Sequence, residues 1–201
     1  DRTLFDPLPP TPSQQCAVDL MLVVDRSGSI GWARWAYLVD YLRERVARIN
    51  FTDAHGHRVG IVGYSSAPDV LCPMNHRREK LLDCIDQITY TGGTTDTASA
   101  ISTATGEIFS GPVIWSNVTD HARVMEVITD GVSNVPAATQ LAAQQAKDSG
   151  IIVIAIGAGP DSNAPELMGI ASEPKENHFT ILGGFSALHY LVDAISRYCL
   201  P

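Results

Sequence analysis

Apolar runs of strand length alternate along the chain with longer stretches whose apolar residues recur at helical spacing. The segment 17–24, AVDLMLVV, is a continuous apolar run and predicts a buried strand. The segment 32–49 predicts a helix, because its large apolar residues fall on one helical face. Those residues are Trp35, Leu38, Leu42, Val46 and Ile49. A strand that leads into a helix is therefore the first predicted unit.

The same alternation continues along the rest of the chain. Further strands are predicted over 57–66, 69–72, 123–129, 150–157 and 178–182. Further helices are predicted over 77–88, 97–109, 136–149 and 185–199. Strands that are buried on both faces and joined by helices indicate a doubly wound α/β fold, with helices on both faces of the sheet. We expect a mostly parallel central sheet with one short antiparallel edge strand, the segment 69–72.

The first fifteen residues lack this alternation. They include four prolines and predict an extended linker, so we place the domain at residues 16–201. A chain of 201 residues, of which 45% are hydrophobic, has the size of one domain. The proline-rich start favours a piece of a larger multidomain protein.

The charge and the apolar stretches of the chain argue against nucleic acid as a partner and against membrane insertion. Its formal net charge is −8 and it has no stripe rich in Lys and Arg, which argues against nucleic acid. The short basic run at 77–80 fits the solvated start of a helix. No apolar stretch reaches the roughly 20 residues of a membrane span, so we expect no membrane insertion.

Four cysteines indicate disulfides. Cys16 and Cys199 lie at the edges of the predicted domain, whereas Cys72 and Cys84 lie close together in its middle. None has the Cys-x-x-Cys spacing of a zinc or redox site. The simplest pairing is Cys16–Cys199 with Cys72–Cys84, although four cysteines allow three pairings. Disulfides imply an oxidising compartment.

Two glycosylation sequons favour the same compartment. They begin at Asn50 and Asn117, and each such triplet is also common by chance. Together with the cysteines they predict a secreted glycoprotein.

Three loops at or near the carboxyl ends of predicted strands carry side chains with oxygen atoms. They are Asp25, Ser27 and Ser29 in the first loop, Thr94, Thr95 and Asp96 in the second, and Asp130 in the third. Ligands of such folds bind at this edge of the sheet. A hard cation such as Mg²⁺ takes up to six oxygen ligands at about 2.1 Å and usually keeps some waters. Two carboxylates and three hydroxyls would supply such a cation and leave one position open.

Each loop taken alone has a simpler interpretation. Ser29 alone suits a helix N-cap, GGTTDT alone suits a loop with an N-cap, and Asp130 followed by Gly131 suits a turn. The three loops together are much harder to explain in this way.

With these residues together, the chain resembles a von Willebrand factor type A domain, which has the fold of the integrin I domain. The stretches DLMLVVDRSGSIG, GGTTDTASAI and VITDGVSN carry the resemblance, which spans about residues 16–199. The family's metal-site pattern is Asp-x-Ser-x-Ser, a Thr in a Gly-rich loop, and an Asp after a central strand. The matching residues are Asp25, Ser27, Ser29, Thr95 and Asp130.

The resemblance implies a metal-ion-dependent adhesion site (MIDAS). In the family the two serines touch one divalent cation directly, the threonine joins them in the ligand-competent state, and the aspartates act largely through water. The expected cation is Mg²⁺, with Mn²⁺ and Ca²⁺ as alternatives. An acidic side chain of a protein partner would fill the open position.

The resemblance also suggests the partner. The segment 178–199 is similar to A domains of matrix proteins and non-fibrillar collagens, so we expect an extracellular matrix partner, with collagen favoured. Two other functions stay open. One is binding through a surface away from an intact metal site, and the other is a structural matrix module that binds collagen or itself without metal.

No enzyme is expected. Gly63-x-Ser65 follows an apolar strand, as in a nucleophile elbow, but Ala67 stands where the elbow has Gly and Pro68 where the next helix would begin. The six histidines are scattered, and no acid–base pair stands out.

The other residues of the first loop carry two further expectations. The charge of Arg26 would weaken cation binding unless its side chain points outward, which we expect because it alternates with Asp25 and Ser27. The same charge would equally help to attract an acidic partner. Gly28 and Gly31 would let the backbone bend so that both hydroxyls face one point.

The predicted Cys16–Cys199 bridge bears on affinity. In integrin-type relatives the last helix slides along the sheet when affinity changes, and a bridge at its end would limit that slide. We therefore predict one dominant affinity state. The bridge would also close a loop of about 180 residues, which should stabilise the fold by several kcal/mol. A tenfold or larger shift in partner affinity after selective opening of the bridge supports the restraint, whereas unchanged affinity makes it a simple staple. A disulfide map with another pairing contradicts the prediction.

Overall fold

The structure is a computed structural model, and it describes residues 17–51, 56–110 and 121–194. The strands of these ranges are β1 (Ala17–Asp25), β2 (Arg58–Tyr64), β3 (Pro68–Asn75), β4 (His121–Thr129), β5 (Ile151–Ala158) and β6 (Phe179–Leu182). The α-helices are α1 (Gly31–Arg48), α2 (Arg78–Ile85), α3 (Thr97–Ile108), α4 (Pro136–Asp148), α5 (Ala164–Ile170), α6 (Lys175–His178) and α7 (His189–Ala194). The predictions for the linker 1–15, for Cys16 and Cys199, and for Asn117 lie outside the described residues.

Within the described ranges, the strands form one sheet in the order β3-β2-β1-β4-β5-β6. Neighbouring strands are parallel, except that β3 runs antiparallel to β2. The predicted fold class is therefore confirmed. The antiparallel edge strand is not short, however, because β3 extends over eight residues where the sequence predicted the four of 69–72. Most side chains of this edge strand are at least partly exposed, so its ends lack the apolar signal of a buried strand.

The two faces of β1 belong to separate apolar layers, since successive side chains of a strand point to opposite faces. Leu20, Leu22 and Val24 pack in the layer that includes α1, α2 and α7. Met21 and Val23 pack in the layer that includes α3, α4 and α5. The helices on both faces are thus held by one central strand, whose carboxyl end is the first candidate metal loop.

The structure corrects the sequence prediction in the last third of the chain. The short helices α5 and α6 were not predicted, because each is too short to show a helical period. The segment predicted as one helix over 185–199 begins with a 3₁₀ turn at Phe185–Ala187, which is followed by α7. Residues 195–199 lie outside the described ranges.

A disulfide joins Cys72 on β3 to Cys84 on α2. This bridge is one of the pairs that the sequence suggested. It ties the exposed edge of the sheet to the helix that packs beside it. Asn50, the first sequon position, is exposed just after α1, as a glycan acceptor must be. In the described residues, no helix has both the length and the apolar character that a bilayer span needs.

A buried charge network fixes α1 to β4. Glu126 on β4 is fully buried and accepts hydrogen bonds from Arg45 Nη2 at 2.8 Å and from Tyr41 Oη at 2.8 Å, both on α1. Burial and the neighbouring carboxylate of Glu126 raise the pKa of Tyr41 well above its ordinary value. Because the loops at the ends of β1 and β4 carry predicted metal residues, this network helps to hold α1 in place beside them.

Replacing Arg45 with Met should lower the free energy of unfolding by about 3–5 kcal/mol, because the Glu126 carboxylate stays buried without its counter-charge. Urea denaturation monitored by circular dichroism measures the change. Arg43→Met is the matched control on the same helix. Arg43 pairs with Asp86 at the surface, where an ion pair contributes about 0–1 kcal/mol. Equal losses in the two variants would contradict the assignment.

Candidate metal site

The register of the sheet brings the first and third candidate loops together. β1 and β4 are adjacent and parallel, with Val24 level with Ile128, so Asp25 and Thr129 end their strands at the same height. Asp130 follows Thr129 directly. The two predicted carboxylates therefore leave neighbouring strands at one edge of the sheet.

Four of the five predicted metal residues form one chain of hydrogen bonds. The backbone N–H of Ser27 donates to Asp25 Oδ1 at 2.8 Å. The hydroxyl oxygens of Ser27 and Ser29 are 3.1 Å apart, and the Ser29 hydroxyl donates to Asp130 Oδ1 at 2.7 Å. Asp25, Ser27 and Asp130 are buried, while Ser29 is exposed. The cluster therefore opens to solvent at Ser29.

Asp25 is held below the cluster by a residue that the sequence did not single out. Thr129 donates its hydroxyl hydrogen to Asp25 Oδ2 at 2.7 Å, and neither side chain reaches solvent to any extent. Burial raises the pKa of the Asp25 carboxyl to about 6, against hydrogen bonds from Ser27 and Thr129 that lower it. A carboxylate withdrawn from water in this way is stabilised by a nearby positive charge.

Thr95 is placed near the cluster by its backbone. Its N–H donates to Asn134 Oδ1 at 3.0 Å, and its carbonyl accepts from the backbone N–H of Asn134 at 2.8 Å. Asn134 lies in the loop after Asp130. The Thr95 hydroxyl takes no part in the hydrogen bonds that join the other four residues within the described part of the chain. The structure thus ties its loop to the third loop without joining its side chain to the cluster.

Close backbone contacts support the first loop. The N–H of Gly28 donates to the carbonyl of Gly93 at 2.9 Å, and a Cβ on Gly28 would lie 3.3 Å from that oxygen. Gly31 has φ +66°, a conformation that side-chain-bearing residues rarely adopt. Gly31 therefore provides the bend that the sequence suggested, whereas Gly28 allows the close approach of the Gly93 backbone.

Tyr90 braces the same loop from outside the predicted set. Its hydroxyl donates to the carbonyl of Ser27 at 3.1 Å or of Gly28 at 3.3 Å, and it accepts from the N–H of Gly31 at 3.2 Å. No sequence signal marks Tyr90, because its role depends on the path of the chain between α2 and α3. Thr129 and Asn134 were also missed, although a hydroxyl at the end of the apolar run 123–129 was visible.

The prediction that Arg26 points outward is wrong. Arg26 is only 3% exposed, forms an ion pair with Asp69 on β3, and donates to the carbonyl of Thr89 at 3.2 Å. Its side chain lies against the hairpin of β2 and β3 instead of in solvent. Gly63 on β2 leaves the necessary space, since a Cβ there would lie 2.6 Å from Arg26 Nε. The charge of Arg26 is therefore balanced by Asp69.

Arg34 brings a positive charge to the cluster from outside the predicted set. Its Nη1 donates to the carbonyl of Ser29 at 3.1 Å and to Asp130 Oδ2 at 3.3 Å. Its side chain is 52% exposed, so one end of the guanidinium faces solvent. No sequence signal marks Arg34, which lies in the first turn of α1.

The simpler interpretations of the loops are partly correct. Asp96 is the N-cap of α3 and accepts from the N–H of Ser99 at 3.2 Å. Ser29 is not an N-cap, because α1 begins at Gly31 with Ile30 in the cap position. The Ser29 hydroxyl is thus directed to Asp130 rather than to the helix.

The residues present fit a small, hard divalent cation. Adjacent ligands of an octahedral ion at about 2.1 Å from its centre are about 3.0 Å apart, and the two serine oxygens are 3.1 Å apart. No cluster of three or more His, Cys, Asp or Glu side chains suited to a metal occurs in residues 17–51, 56–110 and 121–194. The candidate therefore depends on hydroxyls combined with two carboxylates, a donor set that favours Mg²⁺, Mn²⁺ or Ca²⁺ over softer metals.

Comparison with protein families now identifies the fold. Residues 19–194 match the von Willebrand factor type A domain. The chain belongs to this family. The match extends from β1 to α7 and contains all five candidate residues of the metal site.

Similar domains occur in collagens. The human collagen alpha-1(XXI) chain is 28% identical over 181 residues, which are 89% of this chain and 18% of that one. The human collagen alpha-1(XX) chain is 28% identical over 195 residues, which are 96% of this chain and 14% of that one. This von Willebrand factor type A domain thus spans less than a fifth of the length of either relative.

A solved structure has the same fold with metal bound. Proximal thread matrix protein 1 from the mussel byssus, solved with a zinc-occupied MIDAS motif, superposes with a TM-score of 0.79 at 26% identity. The match covers 89% of this chain and 47% of the mussel protein. The mussel structure demonstrates that a domain of this fold can hold a divalent cation at a MIDAS.

Replacing Tyr90 with Phe should cost about 0.5–1.5 kcal/mol of stability and loosen the first loop, because its carbonyls and the N–H of Gly31 lose a hydrogen-bond partner. We expect faster amide hydrogen exchange at residues 27–31 and little change in the core strands. Tyr37→Phe is the control, since Tyr37 lies on α1 and its side chain is half exposed. Equal exchange in both variants would contradict the bracing role of Tyr90.

Proposed function

We propose that this domain is an extracellular adhesion module that binds a matrix protein through a divalent cation, with collagen as the favoured partner. Asp25, Ser27, Ser29, Thr95 and Asp130 would hold the cation, which is expected to be Mg²⁺, with Mn²⁺ or Ca²⁺ as alternatives. The cation supplies one coordination position for an acidic side chain of the partner.

One observation carries this proposal. The two serine hydroxyls lie 3.1 Å apart with Asp130 at 2.7 Å from Ser29, and this cluster is open to solvent on the Ser29 side. A cation held mainly by neutral hydroxyls keeps most of its charge, so it attracts an incoming carboxylate strongly. Burial of Asp25 and Asp130 keeps the two protein carboxylates from reaching outward to compete with the partner.

The relatives support an extracellular, multidomain setting for this domain. Two are collagen chains and one is a matrix protein of the mussel byssus, so we propose a secreted protein of the extracellular matrix in which this domain is one of several. Occupied glycans at Asn50 and Asn117 and a second disulfide, Cys16–Cys199, belong to the same proposal. The mussel relative holds zinc, which adds Zn²⁺ to the cations worth testing.

The first test is binding of the purified domain to immobilised fibrillar collagen in Mg²⁺ and in EDTA. Binding that EDTA abolishes supports the proposal. Binding that survives EDTA assigns the contact to a metal-independent surface, and no binding in either buffer removes collagen as the partner.

Asp130→Ala should abolish cation binding and cation-dependent adhesion while the fold stays intact. Asp130 contributes an oxygen to the cluster, and its removal also frees the Ser29 hydroxyl. Isothermal titration with Mn²⁺ measures the first effect and circular dichroism checks the fold. Asp86→Ala is the matched control, because Asp86 is a carboxylate at the surface paired with Arg43. Unchanged Mn²⁺ affinity in Asp130→Ala would refute the site.

A further inference from the structure

Trp32 is a large apolar side chain left in solvent beside the candidate metal loop. It lies in the first turn of α1 and is 71% exposed. Its indole lies against the ring of Tyr90, with centroids 5.1 Å apart. Since Tyr90 also hydrogen-bonds the carbonyl of Ser27, Trp32 is held at one side of the metal loop.

Arg34 lies at the other side of the same loop. Helical residues two positions apart point in nearly opposite directions, so Trp32 and Arg34 do not face each other. Arg34 contacts the carbonyl of Ser29 and the carboxylate of Asp130. The candidate metal loop is thus flanked by an exposed indole and a half-exposed guanidinium.

The guanidinium of Arg34 stays accessible beside the cluster, whereas that of Arg26 does not, because Arg26 is buried and paired with Asp69. Arg34 contacts one oxygen of Asp130 through a single nitrogen, whereas a guanidinium has five N–H donors. It therefore retains donors for a second carboxylate.

Electrostatics favours an acidic group at this place. The whole domain carries a formal charge of −8, which repels an acidic partner at long range. The guanidinium of Arg34 offsets part of this negative charge beside the metal loop, and its contact with Asp130 shows that a carboxylate fits against it. Charge complementarity of this kind sets specificity and orientation at an interface.

The indole of Trp32 supplies the apolar half of the surface. Trp and Arg are the residue types most often found as dominant contacts in protein interfaces. A flat, exposed ring held against Tyr90 is preorganised to stack on a prolyl ring or another apolar side chain.

We propose that Trp32 and Arg34 are the two anchors of a partner-binding surface around the metal loop. The partner is a matrix-protein segment in which an acidic side chain lies next to a prolyl or other apolar side chain. Arg34 contacts the acid beside the cation, and Trp32 contacts the apolar neighbour. This inference rests on the proposed function, because the same acid completes the metal site.

The test uses a defined probe, the peptide acetyl-Pro-Glu-Pro-amide, and its Gln counterpart. Each is titrated into the Mg²⁺-loaded, ¹⁵N-labelled domain and followed by NMR at the indole N–H of Trp32 and the Nε–H of Arg34. We expect both signals to shift with the Glu peptide and to stay in place with the Gln peptide. Trp32→Ala and Arg34→Ala should each weaken the Glu peptide at least fivefold.

Two matched controls exist in the chain. Tyr190 is also 71% exposed but lies on α7, and Arg43 lies on α1 in a surface ion pair. Tyr190→Ala and Arg43→Ala should stay within twofold of the parent domain.

A separate Mn²⁺ titration distinguishes this inference from the proposed function. Absence of Mn²⁺ binding in the parent domain overturns the proposed function and the inference with it. Normal Mn²⁺ binding without peptide-induced shifts, or with equal peptide affinity in all four variants, overturns the inference alone. Arg34→Ala should bind Mn²⁺ at least as tightly as the parent, because a nearby positive charge is lost. Weaker Mn²⁺ binding would make Arg34 a support of the metal site instead.

Discussion

The in-register parallel pairing of β1 with β4 is the constraint on which the candidate site depends. It places the ends of both strands at one edge, so Asp25 lies beside Thr129 and the next residue, Asp130, reaches the hydroxyl of Ser29. A shift of one residue would turn every side chain of the strand to the opposite face and separate these groups. Because both faces of β1 are packed in apolar layers, such a shift would also exchange the side chains of the two layers and disrupt their packing. Core packing and site geometry are therefore fixed by the same register.

The charged residues in and around the site are the second feature that prepares it for a partner. The site contains two carboxylates that are almost out of solvent, and Arg26, Arg34 and Arg45 each have a different environment. Arg26 is neutralised by Asp69, Arg45 is buried with Glu126, and Arg34 alone of these three reaches the cluster while half exposed. Of these three arginines, only Arg34 therefore presents positive charge at the open side of the site. A surface of this kind suits a partner that brings its own carboxylate.

Sequence patterns predicted most of the fold and named the candidate metal residues. They did not predict the residues that hold the metal loops in place. Buried strands such as 17–24 and long helices such as 32–49 have a strong apolar period, whereas the partly exposed strand β3 and the short helices α5 and α6 do not. Sequence motifs name the residues that would touch a cation. They do not name Tyr90 or Arg34, whose contacts arise only when distant segments meet, and they misled on Arg26, because the space over Gly63 is a property of the folded sheet.

The central claim is that a divalent cation binds between the hydroxyls of Ser27 and Ser29. A crystal structure of the Mn²⁺-soaked domain with anomalous diffraction tests it most directly. We expect one anomalous peak at roughly 2.1 Å from both hydroxyl oxygens, with Asp130 beside it. A peak elsewhere on the domain, or none at a saturating Mn²⁺ concentration, would contradict the account.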